Sequence, residues 1–252
     1  MDPNQSDGYV KRDYRALHEA RDLHYFHIQL KETDLDIAVD QESYQDHLIL
    51  LCQETVRRLR GDLEYYISRQ PTFRTSFVPL RLLPAAPALA RHMAGAAFKT
   101  GVGPMAAVAG AFAQAVGEML MEHVQEVIVE NGGDIYLNCQ KDRLVSVFAG
   151  RSKFSHRLGI KIKAENGPMG VCTSSGTVGP SISLGKADAV VILAPDTVLA
   201  DAAATGAANF VQTPDDLMKA IEFVQNIDGV SGVLAIKDDK MAAWGQFELV
   251  GL

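Results

Sequence analysis

The sequence has few cysteines and no long apolar run, and both shortages narrow the class of protein. Its three cysteines, Cys52, Cys139 and Cys172, are odd in number and far apart, which argues against a disulfide framework and against a zinc site. We expect buried thiols in a reducing compartment. No segment approaches the roughly 18 consecutive apolar residues of a membrane span. Residues 1–21 are polar, unlike a signal peptide, so the sequence predicts a cytoplasmic protein that does not bind membranes.

An excess of basic residues is also lacking. The 252 residues include 24 Lys and Arg against 31 Asp and Glu, a formal net charge of −7 at pH 7. Because a phosphate backbone is bound by a concentrated basic surface, this balance argues against nucleic-acid binding. A chain of this length can bury about 75% of its unfolded surface and needs no metal or disulfide to fold. We expect one domain over residues 1–252, with a loose tail over residues 1–20.

The hydrophobic periodicity predicts an α+β fold. Period-two alternation indicates a hairpin over residues 24–39, and helical spacing over residues 44–70 follows Ser43, a candidate N-cap. Further helices are predicted over residues 88–99, 105–122, 197–209 and 214–224. Further strands are predicted over residues 127–129, 135–137, 144–148, 160–162, 190–193, 232–236 and 241–249. The strands come in runs instead of alternating strictly with helices, which favours α+β over a doubly wound sheet.

The most unusual segment is TSSGTVGPSISLGK, residues 173–186. Glycines allow close approach, and successive N–H and hydroxyl groups can cradle an anion. The segment is not a Walker A loop, because five residues separate Gly179 from Gly185 and Ala187 stands where Ser or Thr is required. A plain polar loop is the alternative. The candidate ligand-binding residues are Thr173, Ser174, Ser175, Gly176 and Lys186.

A candidate metal site follows in the predicted helix over residues 197–209. Asp201 and Thr205 are four residues apart and therefore share one helix face. Mg²⁺ accepts carboxylate and hydroxyl oxygens, with water and substrate phosphate completing its octahedron. Spacing alone leaves two alternatives open: Asp201 could cap the helix, and Thr205 could bond to the carbonyl one turn earlier.

Two glycine pairs are further candidates. Gly132 and Gly133 precede Asp134 in a predicted turn with positive φ. This turn could present Asp134 to a ligand or could merely close a hairpin. Gly101 and Gly103 precede a predicted helix start at Pro104, where backbone N–H groups can bind a phosphate.

Taken in order, these segments resemble the ApbE-like superfamily, which includes the flavin transferases once called thiamine-biosynthesis lipoproteins. In that superfamily a glycine-containing segment, a strand ending in GGD, a TSG loop and an A-D-x-x-x-T helix follow one another. The matching stretches here are residues 99–104, 127–134 (VIVENGGD), 173–176 (TSSG) and 200–205 (ADAAAT). A cytosolic branch is more similar still, in residues 32–35 (ETDL), 101–111 (GVGPMAAVAGA), 130–136 (ENGGDIY) and 183–191 (SLGKADAVV). The resemblance covers about residues 25–210.

The resemblance implies a tunnelling-fold (T-fold) α+β architecture of antiparallel sheets packed with helices. It implies Mg²⁺ and a flavin nucleotide as cofactors, and transfer of FMN from FAD to a protein Ser or Thr. It assigns Asp201 and Thr205 to the metal, and it hints at a homo-oligomer. The residues that match its GGD and TSG motifs are Gly132, Gly133, Asp134, Thr173, Ser174 and Gly176.

The sequence departs from the transferases in one interval. The transferases have H-I-x-D-P-x-T-G between the TSG motif and the Asp/Thr helix, with the histidine at the catalytic centre. Here residues 179–191 read GPSISLGKADAVV, without histidine. Two functions therefore stay open. One is a Mg²⁺-dependent transferase or hydrolase acting on a flavin-like or nucleotide-like phosphorylated small molecule. The other is a non-catalytic carrier or sensor that binds such a ligand.

Overall fold

An eight-stranded antiparallel sheet forms the centre of the fold. The computed structural model describes residue 20, residues 22–176 and residues 184–252. The predicted tail, apart from residue 20, and residues 177–183 of the glycine-rich segment lie outside these ranges. Strand neighbours are antiparallel and helices pack against them, so the predicted α+β class is confirmed.

The strands and helices follow one another along the described ranges. The strands are β1 (Leu23–Leu30), β2 (Thr33–Asp40), β3 (Val127–Asn131), β4 (Asp134–Asn138), β5 (Arg143–Ser146), β6 (Leu158–Ile162), β7 (Met169–Ser174), β8 (Ala189–Ala194), β9 (Gly232–Lys237), β10 (Lys240–Gly245) and β11 (Glu248–Gly251). The helices are α1 (His47–Arg69), α2 (Thr72–Thr75), α3 (Ala88–Thr100), α4 (Val108–Leu120), α5 (Thr197–Ala208) and α6 (Leu217–Gln225). The large sheet has the order β1-β2-β3-β4-β7-β8-β9-β10, and a smaller sheet has the order β11-β6-β5. None of these helices has the length and apolarity that a membrane crossing requires.

The central strands of the large sheet are covered on both faces. In β8, Val190 and Ile192 belong to the core shared with the helices, whereas Val191 and Leu193 belong to the core shared with the smaller sheet. Side chains alternate between the faces of a strand, so a strand buried on both faces needs apolar residues throughout. All six residues of β8 (AVVILA) are buried. The fold therefore has three layers: helices, large sheet and small sheet.

Two predicted boundaries are wrong. Helix α1 begins at His47 after Asp46, and the backbone N–H of Ser43 instead donates to the Asp40 carboxylate at 2.9 Å. The segment predicted as one strand over residues 241–249 is two strands in different sheets. The chain turns at Gly245, whose φ of 111° is accessible to glycine, and β11 then pairs with β6.

Helices α4 and α5 approach each other closely because glycine faces the contact. A Cβ on Gly110 would lie 2.6 Å from the Thr197 carbonyl oxygen and 2.8 Å from the Cβ of Asp201. On β7, a Cβ on Gly170 would lie 2.6 Å from the Cα of Thr197. Larger residues at either position would force the backbones apart. Close packing therefore places the side chain of Asp201 in the interior, where it is 8% exposed.

Candidate functional site

The predicted turn between β3 and β4 is confirmed. Gly132 and Gly133 have φ values of 70° and 101°, and Asn131 pairs with Asp134 across the two-residue turn. The N–H of Gly133 also donates to a carboxylate oxygen of Glu130 at 2.6 Å. Asp134 is the first residue of β4, and Tyr136, two residues on, belongs to the helix-side core. By strand alternation Asp134 also faces the helices, and it is buried.

Strand β7 brings two further predicted residues to this face, and it corrects their assignment to a loop. Thr173 and Ser174 belong to β7, where they pair with Val191 and Val190 of β8. Cys172 pairs with Asp134 and lies in the helix-side core, so Ser174 faces the same way. Ser174 is buried, and its Oγ has no hydrogen-bond partner in the described part of the chain. Thr173 faces the opposite layer.

The carboxylate of Asp201, on α5, accepts a hydrogen bond at the start of the neighbouring helix α4. The side chain that caps α5 belongs to Asp196, which accepts hydrogen bonds from Val198 at 3.0 Å and Leu199 at 3.2 Å. The alternative that Asp201 caps α5 is therefore wrong. Its Oδ2 instead accepts a 2.8 Å hydrogen bond from the backbone N–H of Gly110, in the first turn of α4. A carboxylate is favourable there because the N-terminal end of a helix carries partial positive charge.

Thr205 lies one turn beyond Asp201 on α5 and is half-buried. Its hydroxyl makes no hydrogen bond to the carbonyl of Asp201 within the described ranges, so the predicted back-bond is absent. The first residue of α5, Thr197, packs on Gly170 of β7. The last residue, Ala208, lies against Gly185, where a Cβ would lie 1.8 Å from the Ala208 carbonyl oxygen. The helix thus runs along β7 toward the end of that strand. This direction carries Thr205 toward the end of β7 at which Ser174 lies.

The two buried carboxylates have strongly shifted pKa values. Burial raises the pKa of Asp201 to about 7, although the N–H groups of Gly110 and Ala109 oppose the shift. Burial, and next the charge of Asp201, raises the pKa of Asp134 well above its usual range. Asp134 Oδ1 is buried without a hydrogen-bond partner among the described residues. Two such carboxylates are costly to ionise together unless a cation joins them.

The residues present fit a magnesium ion that also contacts a ligand. The described ranges contain no group of three or more His, Cys, Asp or Glu placed to hold a metal. Zinc would need three or four such protein ligands. Mg²⁺ instead keeps several waters and is bound through one or two carboxylates together with substrate phosphates. Asp134 and Asp201 would supply the carboxylates, and Ser174 and Thr205 would add hydroxyl oxygens.

Cys172 is a member of this cluster that the sequence analysis did not select. Its Sγ lies 3.5 Å from the Thr197 carbonyl oxygen and also hydrogen-bonds the Asp134 carboxylate. Burial, followed by the charges of Asp134 and Asp201, raises the pKa of the thiol well above its usual range, so it stays protonated. Like Cys52 and Cys139, it is a buried free thiol, as predicted. The period-two pairing of β4 with β7 would have placed it here, had β7 been predicted.

The described residues of the glycine-rich segment that follow Ser174 or precede Ala187 hold its two arms together. The N–H of Gly176 and the hydroxyl of Ser175 donate to the Ala187 carbonyl at 3.0 Å and 3.3 Å. A Cβ on Gly176 would lie 2.0 Å from the Gly185 carbonyl oxygen, so glycine allows the arms to cross. Lys186 is fixed through its backbone N–H to Val211 at 2.6 Å, and its side chain is exposed.

A 3-10 turn separates Gly101 and Gly103 from the first residue of α4. The helix predicted to start at Pro104 begins with a 3-10 turn over Pro104–Ala107, and α4 follows. Gly103 is buried, and a Cβ there would lie 1.8 Å from the Ser76 carbonyl oxygen. Its lack of a side chain thus serves packing against Ser76, and its ligand role stays a prediction. Gly101 is exposed at the C-terminal end of α3 with a φ of 72°, and its ligand role stays a prediction.

The layered fold, with the GGD turn, the TSSG segment and the Asp/Thr helix meeting at one sheet end, defines an ApbE-like protein. The model of the family described as "AbpE bacteria" matches residues 15–228, and the chain belongs to this family. The resemblance drawn from the sequence is thereby confirmed.

Named relatives and solved structures agree with this membership. The UPF0280 protein of Methanococcus maripaludis strain C7 is 43% identical over 212 residues, 82% of this chain and 84% of the relative. That of Methanocaldococcus jannaschii is 38% identical over 231 residues, 88% and 91% of the two chains. The apo flavinyl transferase ApbE of Pseudomonas stutzeri superposes with a TM-score of 0.59 at 13% identity, over 88% of this chain and 93% of that one. The flavin transferase ApbE of Vibrio cholerae gives 0.58 at 12%, over 88% and 97%. At these identities the structures establish a shared fold.

Proposed function

We propose that the chain binds a phosphorylated small molecule of the flavin or nucleotide type together with Mg²⁺. The observation that carries the proposal is the buried pair Asp134 and Asp201, with raised pKa values and an unpartnered carboxylate oxygen. Such a pair is typical of functional sites, because a fold gains no stability from two like charges held together out of water. The shared fold with structures named flavin transferases supports a flavin nucleotide as the ligand.

Each residue of the site has a task in this proposal. Asp201 and Thr205, with Asp134 opposite, would hold the metal. When bound, Mg²⁺ supplies positive charge that neutralises phosphate oxygens and acts as a Lewis acid. The hydroxyl of Ser174 remains available to a ligand oxygen. Ser175 and Gly176 follow Ser174 at the same end of β7. Gly110 keeps the Asp201 carboxylate oriented through its 2.8 Å hydrogen bond.

Two activities fit the site. The retained carboxylate pair favours an enzyme, a transferase or hydrolase of the phosphorylated ligand. A specific observation favours the second candidate, a carrier or sensor. His27 contacts Asp34 and His92 contacts Asp196, and within residues 22–176 and 184–252 no histidine is hydrogen-bonded to Asp134 or Asp201. The proton-transfer group that the transferases place beside their metal therefore has no histidine counterpart at this pair.

Ligand titration of the purified protein tests the proposal. FMN, FAD and ADP are titrated by calorimetry in Mg²⁺ and in EDTA, and any co-purifying ligand is identified by mass spectrometry. We expect Mg²⁺-dependent binding that Asp134→Asn and Asp201→Asn both weaken. Asp196→Asn is the matched control, since Asp196 caps α5 outside the pair. Turnover of bound FAD, followed by chromatography, separates an enzyme from a carrier. Failure of all three ligands to bind would contradict the proposal.

A further inference from the structure

The loop between β5 and β6 is strongly basic in an acidic protein. We call residues 149–157, AGRSKFSHR, the basic loop. Arg151, Lys153 and Arg157 are exposed, and the loop contains no Asp or Glu. The whole chain has a formal charge of −7. Positive charge is therefore concentrated on a segment that the proposed function does not yet use.

The backbone of the basic loop is fixed by its own hydrogen bonds. The N–H of Ser152 donates to Ala149 at 2.9 Å, and the N–H of Ala149 donates to the hydroxyl of Ser155 at 3.1 Å. The N–H of His156 donates to Val147 at 2.9 Å. The ammonium of Lys153 lies 5.2 Å from the centre of the Phe154 ring. A preorganised loop loses little conformational entropy when it binds a ligand.

The cations of the basic loop have no carboxylate partners in the described part of the chain. Arg151, Lys153 and Arg157 take part in no ion pair there. Exposed lysines elsewhere do find partners: Lys219 contacts Asp216 at 2.6 Å, and Lys240 contacts Asp215 at 2.8 Å. The unpaired charges of the basic loop are thus available to an external anion.

A series of hydrogen bonds connects the basic loop to the candidate site. The N–H of Gly176 donates to Ala187, the residue before Asp188. Asp188 Oδ2 accepts from the N–H of Asp238 at 2.6 Å, and the Asp238 carbonyl accepts from the hydroxyl of Ser152 at 2.7 Å. Asp238 follows β9, two strands from β7 in the sheet, a separation of about 10 Å. The basic loop therefore lies at the same end of the large sheet as Ser174 and Asp134, on the side that the smaller sheet covers.

The net charge along this border is positive. The ammonium of Lys237 lies 3.6 Å from Asp188 and 2.9 Å from Asp238, and offsets part of their negative charge. Lys186, exposed between Ala187 and Gly185, adds a further cation. A ligand held by a metal at Asp134 and Asp201 would thus meet cations where it leaves the sheet end.

We infer that the basic loop binds the phosphate groups of the ligand, so that the site selects phosphorylated over unphosphorylated molecules. The inference rests on the proposed function. It assigns to Arg151 and Lys153 a role in specificity, through contacts with phosphate oxygens that the metal leaves exposed. Charge-assisted contacts from arginine suit phosphate because its planar group presents several N–H donors at once.

The test compares ligands that differ by phosphate. Riboflavin, FMN and FAD, with adenosine and ADP as a second series, are titrated in Mg²⁺ against the wild type and an Arg151→Gln/Lys153→Gln variant. We expect the dissociation constants of the phosphorylated ligands to rise at least about fivefold, as for the loss of exposed charge contacts. Those of riboflavin and adenosine should not change. The matched control is Arg57→Gln/Arg58→Gln, which removes two exposed cations from α1 and should leave all constants unchanged.

The outcomes separate this inference from the proposed function. Unchanged constants for FMN, FAD and ADP, with Mg²⁺-dependent binding intact, would overturn the inference alone. An equal loss for riboflavin or adenosine would also overturn it, because the loop would then act on something other than phosphate. If the wild type bound no member of either series, both would fail. The melting temperature of each variant verifies that the fold is retained.

Discussion

Asp201 Oδ2 on α5 accepts a 2.8 Å hydrogen bond from the backbone N–H of Gly110 at the start of α4. One carboxylate thus joins two helices and also faces Asp134, whose pKa its charge raises. The two residues differ in what a substitution would disturb. A change at Asp201 removes both a helix contact and a candidate metal ligand, whereas a change at Asp134 alters its hydrogen bonds with Cys172 and the backbone of Thr173 but leaves the contact between α4 and α5 intact. Asp134 therefore probes metal binding without disturbing that helix contact.

Divalent metal should stabilise the protein. We expect Mg²⁺ or Mn²⁺ to raise the melting temperature, because a ligand of the native state stabilises by about 2.7 kcal/mol at a hundredfold excess over its dissociation constant. Asp134→Asn and Asp201→Asn should each remove the increment. In EDTA, Asp201→Asn should be the less stable of the two variants because it weakens the contact with Gly110. Differential scanning fluorimetry measures both effects.

The control for the metal prediction is Asp196→Asn. Asp196 caps α5 through Val198 and Leu199, so this variant perturbs the same helix without touching the carboxylate pair. It should retain the full increment in melting temperature. If Asp134→Asn and Asp201→Asn retained it as well, the pair would be structural and the metal assignment would be wrong.

Stability without metal should fall as the pH rises. The folded pKa values of Asp134 and Asp201 are raised, to about 7 for Asp201, so the folded state keeps protons that the unfolded state releases above about pH 4. The contribution of these carboxyl groups to the free energy of unfolding is then present at low pH, and it is lost as the pH rises through their folded-state pKa values. In EDTA we expect the melting temperature to decrease between about pH 5 and about pH 8, and Asp134→Asn to flatten the decrease. The Mg²⁺ increment should grow over the same range, since metal and proton compete for the carboxylates.

One other group contributes in the same direction. The hydrogen bond that His92 donates to the Asp196 carboxylate raises the pKa of His92. The stabilisation that comes from this raised pKa is likewise present at low pH and is lost as the pH rises. His92→Gln removes that contribution. The pH dependence that remains in this variant should still be flattened by Asp134→Asn. A profile governed by His92 alone would contradict the prediction.

Local patterns were enough to predict most of the helices, the first hairpin and the Gly132-Gly133 turn. Each depends on residues close in sequence: alternation for the hairpin, positive φ for the turn. Strand β7 was missed because its final Thr173 and Ser174 resemble loop residues, and the burial of Ser174 comes from α5, which follows later in the chain. The pairing of β11 with β6 is also non-local, and nothing in either segment specifies the partner.

The sequence alone predicted single motifs of the site but not how they come together. Spacing placed Asp201 and Thr205 on one face, but the proximity of Asp134 to Asp201 depends on how α5 packs on β7. That packing is set by Gly170 and Gly110, whose missing side chains admit the helix. Gly110 lies in the matching segment 101–111, but that match does not specify which helix the glycine contacts. The resemblance to a known family supplied the order of the motifs, and the structure supplied the proximity of the two carboxylates.

Substitutions in the β3–β4 turn should separate backbone strain from packing. Gly133 has a φ of 101°, and a Cβ there would come no nearer than 3.9 Å to another residue, the Thr173 carbonyl oxygen. Gly133→Val should therefore destabilise by strain alone, on the order of 1–3 kcal/mol. Gly132→Asn should cost less, because its φ of 70° lies in the left-handed region that asparagine tolerates. Urea denaturation of both variants measures the difference, and equal losses would argue against strain as the cause.

Flavin transfer should be slow or absent. Asp201 and Thr205 remain, but the interval that holds a histidine in the transferases reads GPSISLGKADAVV here, and neither Asp134 nor Asp201 is hydrogen-bonded to a histidine in the described ranges. General acid–base catalysis typically contributes about 10²–10⁴-fold in rate. We expect little or no transfer of FMN from FAD to a Ser/Thr acceptor peptide in Mg²⁺, while FAD or FMN still binds.

An authentic ApbE transferase, assayed beside this protein, is the positive control that shows that the acceptor peptide is competent. Robust labelling that Asp201→Asn abolishes and Asp196→Asn preserves would refute this prediction and establish the chain as a transferase with another proton-transfer group. Binding without labelling would support the carrier or sensor, because a metal and a phosphate site suffice to hold the nucleotide but not to remove the proton of the acceptor hydroxyl.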